Sequence, residues 1–149
     1  KNPGFQYYPV LDGFVGWKGG SDLYFLDPVS WTWEKRPAAA SNRVTPTQPD
    51  KNGTFGRFRY VPSRNVYIVV NNVKENVFIG RLSDRATAPI PKRFAATLKS
   101  GKDAAVVAWV AGQVALWPKA KAEPVLEGAL KTQTGPAAEA VKKALSDLK

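Results

Sequence analysis

The chain has 149 residues, of which 44% are hydrophobic, and it carries a formal net charge of +10 from 22 Lys and Arg against 12 Asp and Glu. It contains neither His nor Cys, which excludes disulfides, thiolate or imidazole metal sites, and the Ser-His-Asp and Cys-His nucleophile systems. The basic charge is spread along both halves, so it favours solubility as well as contact with polyanions, acidic glycans or anionic surfaces.

The first half opens with a predicted three-stranded meander. Residues 13–17, 22–27 and 31–35 are rich in β-branched and aromatic side chains, as is typical of strands. Turn-forming residues separate these runs: Gly19-Gly20-Ser21 before the second and Pro28-Val29-Ser30 before the third. The pattern predicts antiparallel strands joined by short turns.

A second meander follows over residues 56–61, 66–70 and 77–79. Its first turn has Pro62, which fixes φ early, and Asn65, which can adopt a left-handed conformation late. Superposing residues 22–26 on residues 65–69 gives an offset of 43 residues. Propeller blades repeat at about 40 to 50 residues, so we expect two copies of one blade-like unit.

A series of landmark residues runs through these meanders: Gly19-Gly20, Tyr24 with Asp27-Pro28, Trp33, and Gly56-Arg57. Over about residues 11–82, this order resembles the kelch repeat of kelch and galactose-oxidase-type β-propellers. In that family the double glycine ends the second strand of a blade, the tyrosine lies in the third and the tryptophan lies near the fourth. The second copy departs from the pattern, because Asn71-Asn72 stands where a double glycine is expected and no tryptophan follows.

The resemblance has a structural implication. A propeller needs about 4 to 8 four-stranded blades, and this chain supplies fewer than two. The chain is therefore expected to be the C-terminal part of a longer, extracellular or periplasmic protein. Otherwise the meanders form a smaller assembly whose sheet edges are covered by helices or by another chain, through homo-oligomerisation or association with missing blades.

The second half has a helical period. Residues 102–117 predict a buried helix that carries Trp109 and Trp117 on one face, residues 124–130 predict a helix with proline in its first turn, and Gly135-Pro136 begins another. Residues 94–98 predict a short helix before them. Shifting this half by 29 residues superposes small residues on small residues, which resembles short HEAT-like repeats over about residues 94–149.

These patterns together predict an α+β chain in three parts. Residues 1–83 form a kelch-like antiparallel β-repeat segment, residues 84–91 form a proline-rich linker, and residues 92–149 form an all-α, HEAT-like segment. No apolar run approaches the roughly 20 residues of a membrane span.

Candidate binding residues come from the second meander and from the tryptophans. In a strand from Gly56, Arg57 and Arg59 would lie on one face and Tyr60 on the other, so the arginines could bind a carboxylate, sulfate or phosphate. The alternative is that they pair with acidic residues or line a surface between blades. Trp17 is a candidate for sugar stacking together with Trp31 and Trp33. Alternation places Trp31 and Trp33 on one face, which favours a packing role in the core.

No catalytic residue, metal site or cofactor is predicted, because the spacing of the carboxylates brings no acid-base pair together and no phosphate-binding glycine loop is present. The sequence predicts a non-catalytic binding or scaffolding module that contacts a protein or an acidic glycan. The alternative is the C-terminal part of a secreted propeller enzyme or lectin that acts on acidic polysaccharide. Nucleic-acid binding is disfavoured, because a recognition-type fold pattern is lacking.

Overall fold

The structure is a computed structural model that describes residues 3–148. Over this range the fold is α+β, with two antiparallel sheets of four and three strands and four α-helices. The chain divides into two compact units between Leu82 and Ser83. Within the described range, no helix has the length and apolar character to cross a membrane.

Sheet A is a four-stranded meander with the strands in chain order. Its strands are β1 (Gly4–Tyr8), β2 (Gly13–Trp17), β3 (Leu23–Leu26) and β4 (Trp33–Arg36). The strands β2 to β4 confirm the first predicted meander, and Gly19 and Gly20 adopt φ of 117° and 73° in its first turn. The sequence pattern does not predict β1. Rings point to both faces of that strand and hide the polar-apolar alternation that marks a half-buried strand.

Sheet B has three strands, also in chain order. They are β5 (Phe58–Val61), β6 (Val66–Val69) and β7 (Phe78–Gly80). Asn65 ends the β5–β6 turn at φ 51°, as its residue type predicts. The prediction that a strand begins at Gly56 is wrong, because Phe55–Arg57 forms a 3₁₀ turn. The two sheets do not close into a barrel or a propeller.

The core of the first unit is a series of rings between the two sheets. Phe58 stacks on Tyr67 with centroids 4.8 Å apart, and Trp17 stacks on Phe58 at 6.4 Å. Tyr8 packs against Tyr67 at 5.5 Å, and all four side chains are buried. Gly4 permits this close approach, because a Cβ there would lie 2.3 Å from the Cβ of Phe58.

The second unit consists of four helices. They are α1 (Lys92–Ser100), α2 (Ala104–Val114), α3 (Lys119–Leu130) and α4 (Gly135–Ser146). Helix α1 contacts α2 and α3, and helix α4 contacts α2 and α3. The predicted start of the third helix is wrong by five residues, so Pro124 lies inside α3 and not in its first turn.

Helix α2 is buried on one side only. Asp103 caps it by accepting from the amides of Ala105 and Val106 at 2.8 and 3.2 Å. The prediction of a buried helix therefore holds for one face only, since Val107, Val110 and Val114 are buried whereas Trp109 is 45% exposed. Trp109 and Trp117 do not share a helix, since Trp117 lies beyond the end of α2.

The segment of residues 84–91 belongs to this helical unit. Ala88 is buried, and its carbonyl oxygen accepts from the indole nitrogen of Trp117 at 3.3 Å and from the ammonium of Lys121 at 3.0 Å. The segment therefore packs on α3 and on the end of α2 through one carbonyl.

Candidate functional site

The face of sheet A that points away from sheet B carries a row of rings. Residues that pair directly across antiparallel strands point to the same face of the sheet. The register pairs Phe5 with Gly16 and Tyr7 with Phe14, and it continues through β3 to β4. We call the resulting surface the aromatic face; its apolar members are Phe5, Tyr7, Phe14, Tyr24, Leu26 and Trp33.

Four rings of the aromatic face are connected by direct contacts and form a platform: Phe5, Tyr7, Phe14 and Trp33. Phe5 stacks on Phe14 with centroids 5.1 Å apart and planes at 10°, and it meets Trp33 at 6.1 Å. Gly16 lies under the tryptophan, since a Cβ there would be 3.2 Å from Cζ3 of Trp33. Phe5 and Trp33 remain 44% and 54% exposed. The platform is therefore supported from below and open to solvent above.

Polar groups surround the platform. The Tyr7 hydroxyl donates to Asp12 Oδ1 at 2.6 Å, and the Lys35 ammonium lies 2.7 Å from Asp22 Oδ2. The Lys18 ammonium lies 4.7 Å from the centroid of the Tyr24 ring. Apolar patches with a polar rim mark interaction surfaces.

The ion pair at the rim is charged at neutral pH. A hydrogen bond from Lys35, with a second from the amide of Ala38, lowers the pKa of Asp22 below its usual range. The same bond to Asp22 raises the pKa of Lys35. A ligand on the platform therefore meets a fixed carboxylate and a fixed ammonium at its edge.

Trp31 and Trp33 do not form a packing pair in the core, so that prediction is wrong. Trp31 is 69% exposed and adopts φ 54° in the turn before β4, whereas Trp33 begins the strand. Alternation along a strand tells which residues share a face, but it does not tell whether another element covers that face.

The two candidate arginines bind the local backbone. Arg57 lies in the 3₁₀ turn and not in a strand, so the predicted shared strand face does not form. Its guanidinium donates to the carbonyls of Gly53 and Thr54, and Arg59 Nε donates to the carbonyl of Gly56 at 2.8 Å. Arg59 is exposed on the outer face of sheet B.

The other two candidates are part of the inter-sheet core. Tyr60 points to the same face as Phe58, and its hydroxyl donates to Asn65 Oδ1 at 3.0 Å. Trp17 is 2% exposed, and its indole nitrogen donates to the carbonyl of Gly20 at 2.8 Å. The structure therefore does not gather Arg57, Arg59, Tyr60 and Trp17 at one surface.

No protein-family model, curated protein or solved structure matches this chain. Across residues 3–148 the structure holds no group of three or more Asp and Glu side chains placed to bind a metal ion. The aromatic face is thus defined by the geometry of this chain alone. Sequence reasoning missed Phe5 and Phe14 as members of it. One signal could have found the platform: Gly16 interrupts a strand, and a strand glycine often marks the close approach of another group.

Proposed function

We propose that this chain is a non-catalytic binding module that binds glycans on the aromatic face of sheet A. The observation that carries the proposal is the exposed platform of Phe5, Phe14 and Trp33, with hydrogen-bonding groups at its rim. Rings of this kind stack on the apolar face of a pyranose, and fixed polar groups at the edge select among hydroxyl arrangements. Ring planes held by neighbouring rings lose little conformational freedom when a sugar binds.

We further propose that the preferred glycan is acidic. The chain carries a net charge of +10, and Lys18 lies at the rim over Tyr24. The charge of Lys35 is compensated by Asp22, so Lys18 supplies the attraction at this surface. This attraction is between exposed charges, and it therefore weakens as salt rises.

We also propose that the first unit consists of two kelch-like blades. Gly19-Gly20 follows β2, Tyr24 lies in β3 and Trp33 begins β4, which are the places where the kelch family carries these residues. This correspondence supports sheet A as a kelch-like blade and sheet B as a divergent, three-stranded second blade. In that reading the alternative function is that of a secreted propeller lectin or enzyme, of which this chain is the C-terminal part.

We also propose that the four helices of the second unit are arranged as a HEAT-like repeat. Helices α1 and α2 form one pair and helices α3 and α4 another, and the pairs meet through α1 with α3 and α2 with α4. Stacking of like helices from successive pairs is the arrangement of a helical repeat, whereas an up-down bundle packs each helix mainly on its neighbours in sequence.

Affinity electrophoresis of the full chain tests the proposed function. Gels containing polygalacturonate or alginate should retard the protein, and gels containing dextran should retard it less. Trp33→Ala should weaken retention about tenfold, as loss of a central aromatic anchor usually does. The matched control is Trp31→Ala, which removes an indole that is 69% exposed, against 54% for Trp33, and lies outside the aromatic face. Equal losses in both variants, or no retention by any polysaccharide, would refute the proposal.

A further inference from the structure

The face of sheet B that points away from sheet A is aliphatic. The register pairs Arg59 with Ile68 and Ile68 with Ile79, and it pairs Val61 with Val66, so these five side chains share one face. The rings of the inter-sheet core lie on the opposite face of the same strands. We call the surface formed by the five side chains the aliphatic face of sheet B.

The aliphatic face is open to solvent. Ile79 is 66% exposed, and Arg59, two strands away, is also exposed. Val61, Val66 and Ile68 are partly exposed between them. The apolar face of a sheet is normally buried against another layer of structure, and an apolar surface left open in this way marks an interaction site.

Three arginines lie at the rim of the aliphatic face. Arg59 is a member of the face, and Arg64 is exposed in the turn that joins Val61 to Val66. Arg81 directly follows β7 and is exposed, and its guanidinium donates to the carbonyl of Arg64 at 3.4 Å. Arg64 and Arg81 therefore lie side by side at the end of the face where the two valines pair.

The positive charge of this rim is not compensated. Within residues 3–148, Arg59, Arg64 and Arg81 form no salt bridge with a carboxylate. Residues 54–82 contain five basic side chains and one acidic side chain. That acidic residue, Glu75, accepts from Thr47 Oγ1 at 2.6 Å. The aliphatic face therefore combines an apolar centre with a positive potential.

This combination selects the class of partner. A second copy of the chain carries the same net charge of +10, so electrostatic repulsion disfavours self-association. Nucleic-acid sites stack bases on rings, and membrane-surface sites bring Trp and Tyr to the interface, whereas none of the five side chains has a ring. A helix can cover a sheet face with aliphatic side chains, and its carboxylates can pair bidentately with arginine.

We propose that the aliphatic face of sheet B binds an acidic amphipathic helix of a partner protein. Apolar side chains at i, i+3, i+4 and i+7 of that helix contact Val66, Ile68 and Ile79, and its glutamates pair with Arg59 and Arg81. The inference is independent of glycan binding, because the aromatic face belongs to sheet A.

The test uses the full chain and two N-acetylated peptides of about 18 residues, a length sufficient for a marginal helix. Both have leucine at i, i+3, i+4 and i+7; one has Glu at every other position, and the other has Lys. Heteronuclear NMR titration with the Glu peptide should show saturable shifts of the methyl groups of Val66, Ile68 and Ile79, and the affinity should fall as salt rises. The Lys peptide should bind at least about tenfold more weakly, because it brings like charges together.

Three results of this titration would overturn the proposal. Equal affinity for the two peptides would indicate uptake by hydrophobicity alone. Absence of saturable shifts at the three methyl-bearing residues would mean that the face does not bind the helix. Tighter binding to vesicles of phosphatidylserine and phosphatidylcholine than to the Glu peptide would assign the face to a membrane surface.

Variants test the two components of the face. Arg59→Gln and Arg81→Gln should each weaken binding of the Glu peptide about threefold, since each removes one exposed charge. Ile79→Glu should weaken it about tenfold, because it replaces an apolar contact with a repelling carboxylate. All three positions are exposed, so the melting temperatures should stay close to that of the parent.

Two control variants should bind the Glu peptide like the parent. Arg43→Gln removes the same charge from an exposed loop of the first unit. Trp33→Ala removes a ring of the aromatic face and separates this inference from the proposed glycan site. Unchanged affinity in Arg81→Gln and Ile79→Glu, or an equal loss in Arg43→Gln, would contradict binding at the aliphatic face.

Discussion

Tyr8 and Asn65 lie 57 residues apart in the chain and are joined by a buried hydrogen bond, in which the Tyr8 hydroxyl donates to Asn65 Oδ1 at 3.1 Å. The Tyr60 hydroxyl donates to the same oxygen at 3.0 Å. Tyr8 ends β1 and Tyr60 lies in β5, so one amide oxygen connects sheet A to sheet B. The left-handed conformation of Asn65 at φ 51° places its side chain against both tyrosines.

We expect Asn65→Gly to lower the free energy of unfolding by about 2 kcal/mol, because two hydroxyls lose their acceptor while glycine keeps the left-handed backbone. Asn65→Ala should cost about 1 kcal/mol more, since alanine is strained at positive φ. Urea unfolding followed by near-ultraviolet circular dichroism, which reports on the tyrosine cluster, measures both. Equal stability of the parent and the glycine variant would show that the shared acceptor contributes nothing.

Two tyrosines of the same cluster should respond in opposite directions to loss of the hydroxyl. Tyr67→Phe removes a buried hydroxyl that has no hydrogen-bond partner within residues 3–148, and it should raise the free energy of unfolding by about 1 kcal/mol. Tyr8→Phe removes a hydroxyl that is bonded to Asn65 and should lower it by about 1 kcal/mol. Thermal unfolding of the two variants side by side provides the comparison. A destabilised Tyr67→Phe would indicate that this hydroxyl has a partner in solution.

Two strand glycines should differ sharply in their tolerance of a methyl group. Gly4→Ala places a Cβ 2.3 Å from the Cβ of Phe58, and we expect it to destabilise the first unit by about 2 kcal/mol or more. Gly80→Ala meets nothing within 4 Å and should change stability by less than about 0.5 kcal/mol. Denaturant midpoints of the two variants would decide, and similar midpoints would argue against the close approach of the two sheets.

The Asp22–Lys35 ion pair should make stability depend on pH in the acid range. The folded-state pKa of Asp22 lies below its unfolded value of 3.8, so the carboxylate stabilises the fold above that pH. This contribution is lost as the pH falls through the lowered pKa. Asp22→Asn should therefore be less stable than the parent at about pH 6 and should converge with it near pH 2. Melting curves across this range test the convergence.

The control for the pH experiment is Glu127→Gln, which removes the same charge from an exposed position of α3. The difference in stability between Glu127→Gln and the parent should change less between about pH 6 and about pH 2 than the difference between Asp22→Asn and the parent. A difference for Asp22→Asn that stays constant with pH would mean that the ion pair does not persist in solution.

Pro124 should destabilise α3, because proline has no N–H and leaves the carbonyl of Ala120 without its helical partner. We expect Pro124→Ala to raise the stability of the helical unit by about 1–3 kcal/mol. Pro136 lies in the first turn of α4, where no helical bond is lost, so Pro136→Ala should have no effect or destabilise slightly. Far-ultraviolet circular dichroism during thermal unfolding measures both; a destabilised Pro124→Ala would mean that rigidity of the unfolded chain dominates.

Local residue chemistry was sufficient to predict several elements of the fold. Gly19 and Gly20 predict a turn with positive φ, and Asn65 predicts a left-handed turn residue, because these preferences belong to single residues. The strand over residues 13–17 follows from its own composition. The helical period likewise predicts α1 and α4, which have strongly one-sided apolar patterns.

The candidate site depends on contacts that local patterns do not encode. Trp33 is 54% exposed, and no feature of its neighbours in sequence specifies that this part of sheet A is left uncovered by the other described residues of the first unit. Arg57 leaves the strand because the 3₁₀ turn at Phe55 directs its guanidinium to backbone carbonyls. The position of Pro124 inside α3 shows the same limit, since a proline signals a helix start only on average.

Sheet A has rings on both faces, so hydrophobicity alone barely distinguishes its observed strand register from one shifted by a single residue. Its glycines supply the missing information. A Cβ at Gly13 would lie 2.4 Å from Cζ of Phe25, and a Cβ at Gly4 would lie 2.3 Å from the Cβ of Phe58. A Cβ at Gly16 would lie 3.2 Å from Cζ3 of Trp33, which is still a tight contact. A one-residue slip would place a side chain under each of these rings. The three glycines therefore select one register of the strands, because a shifted register would place a side chain where these rings leave no room for it.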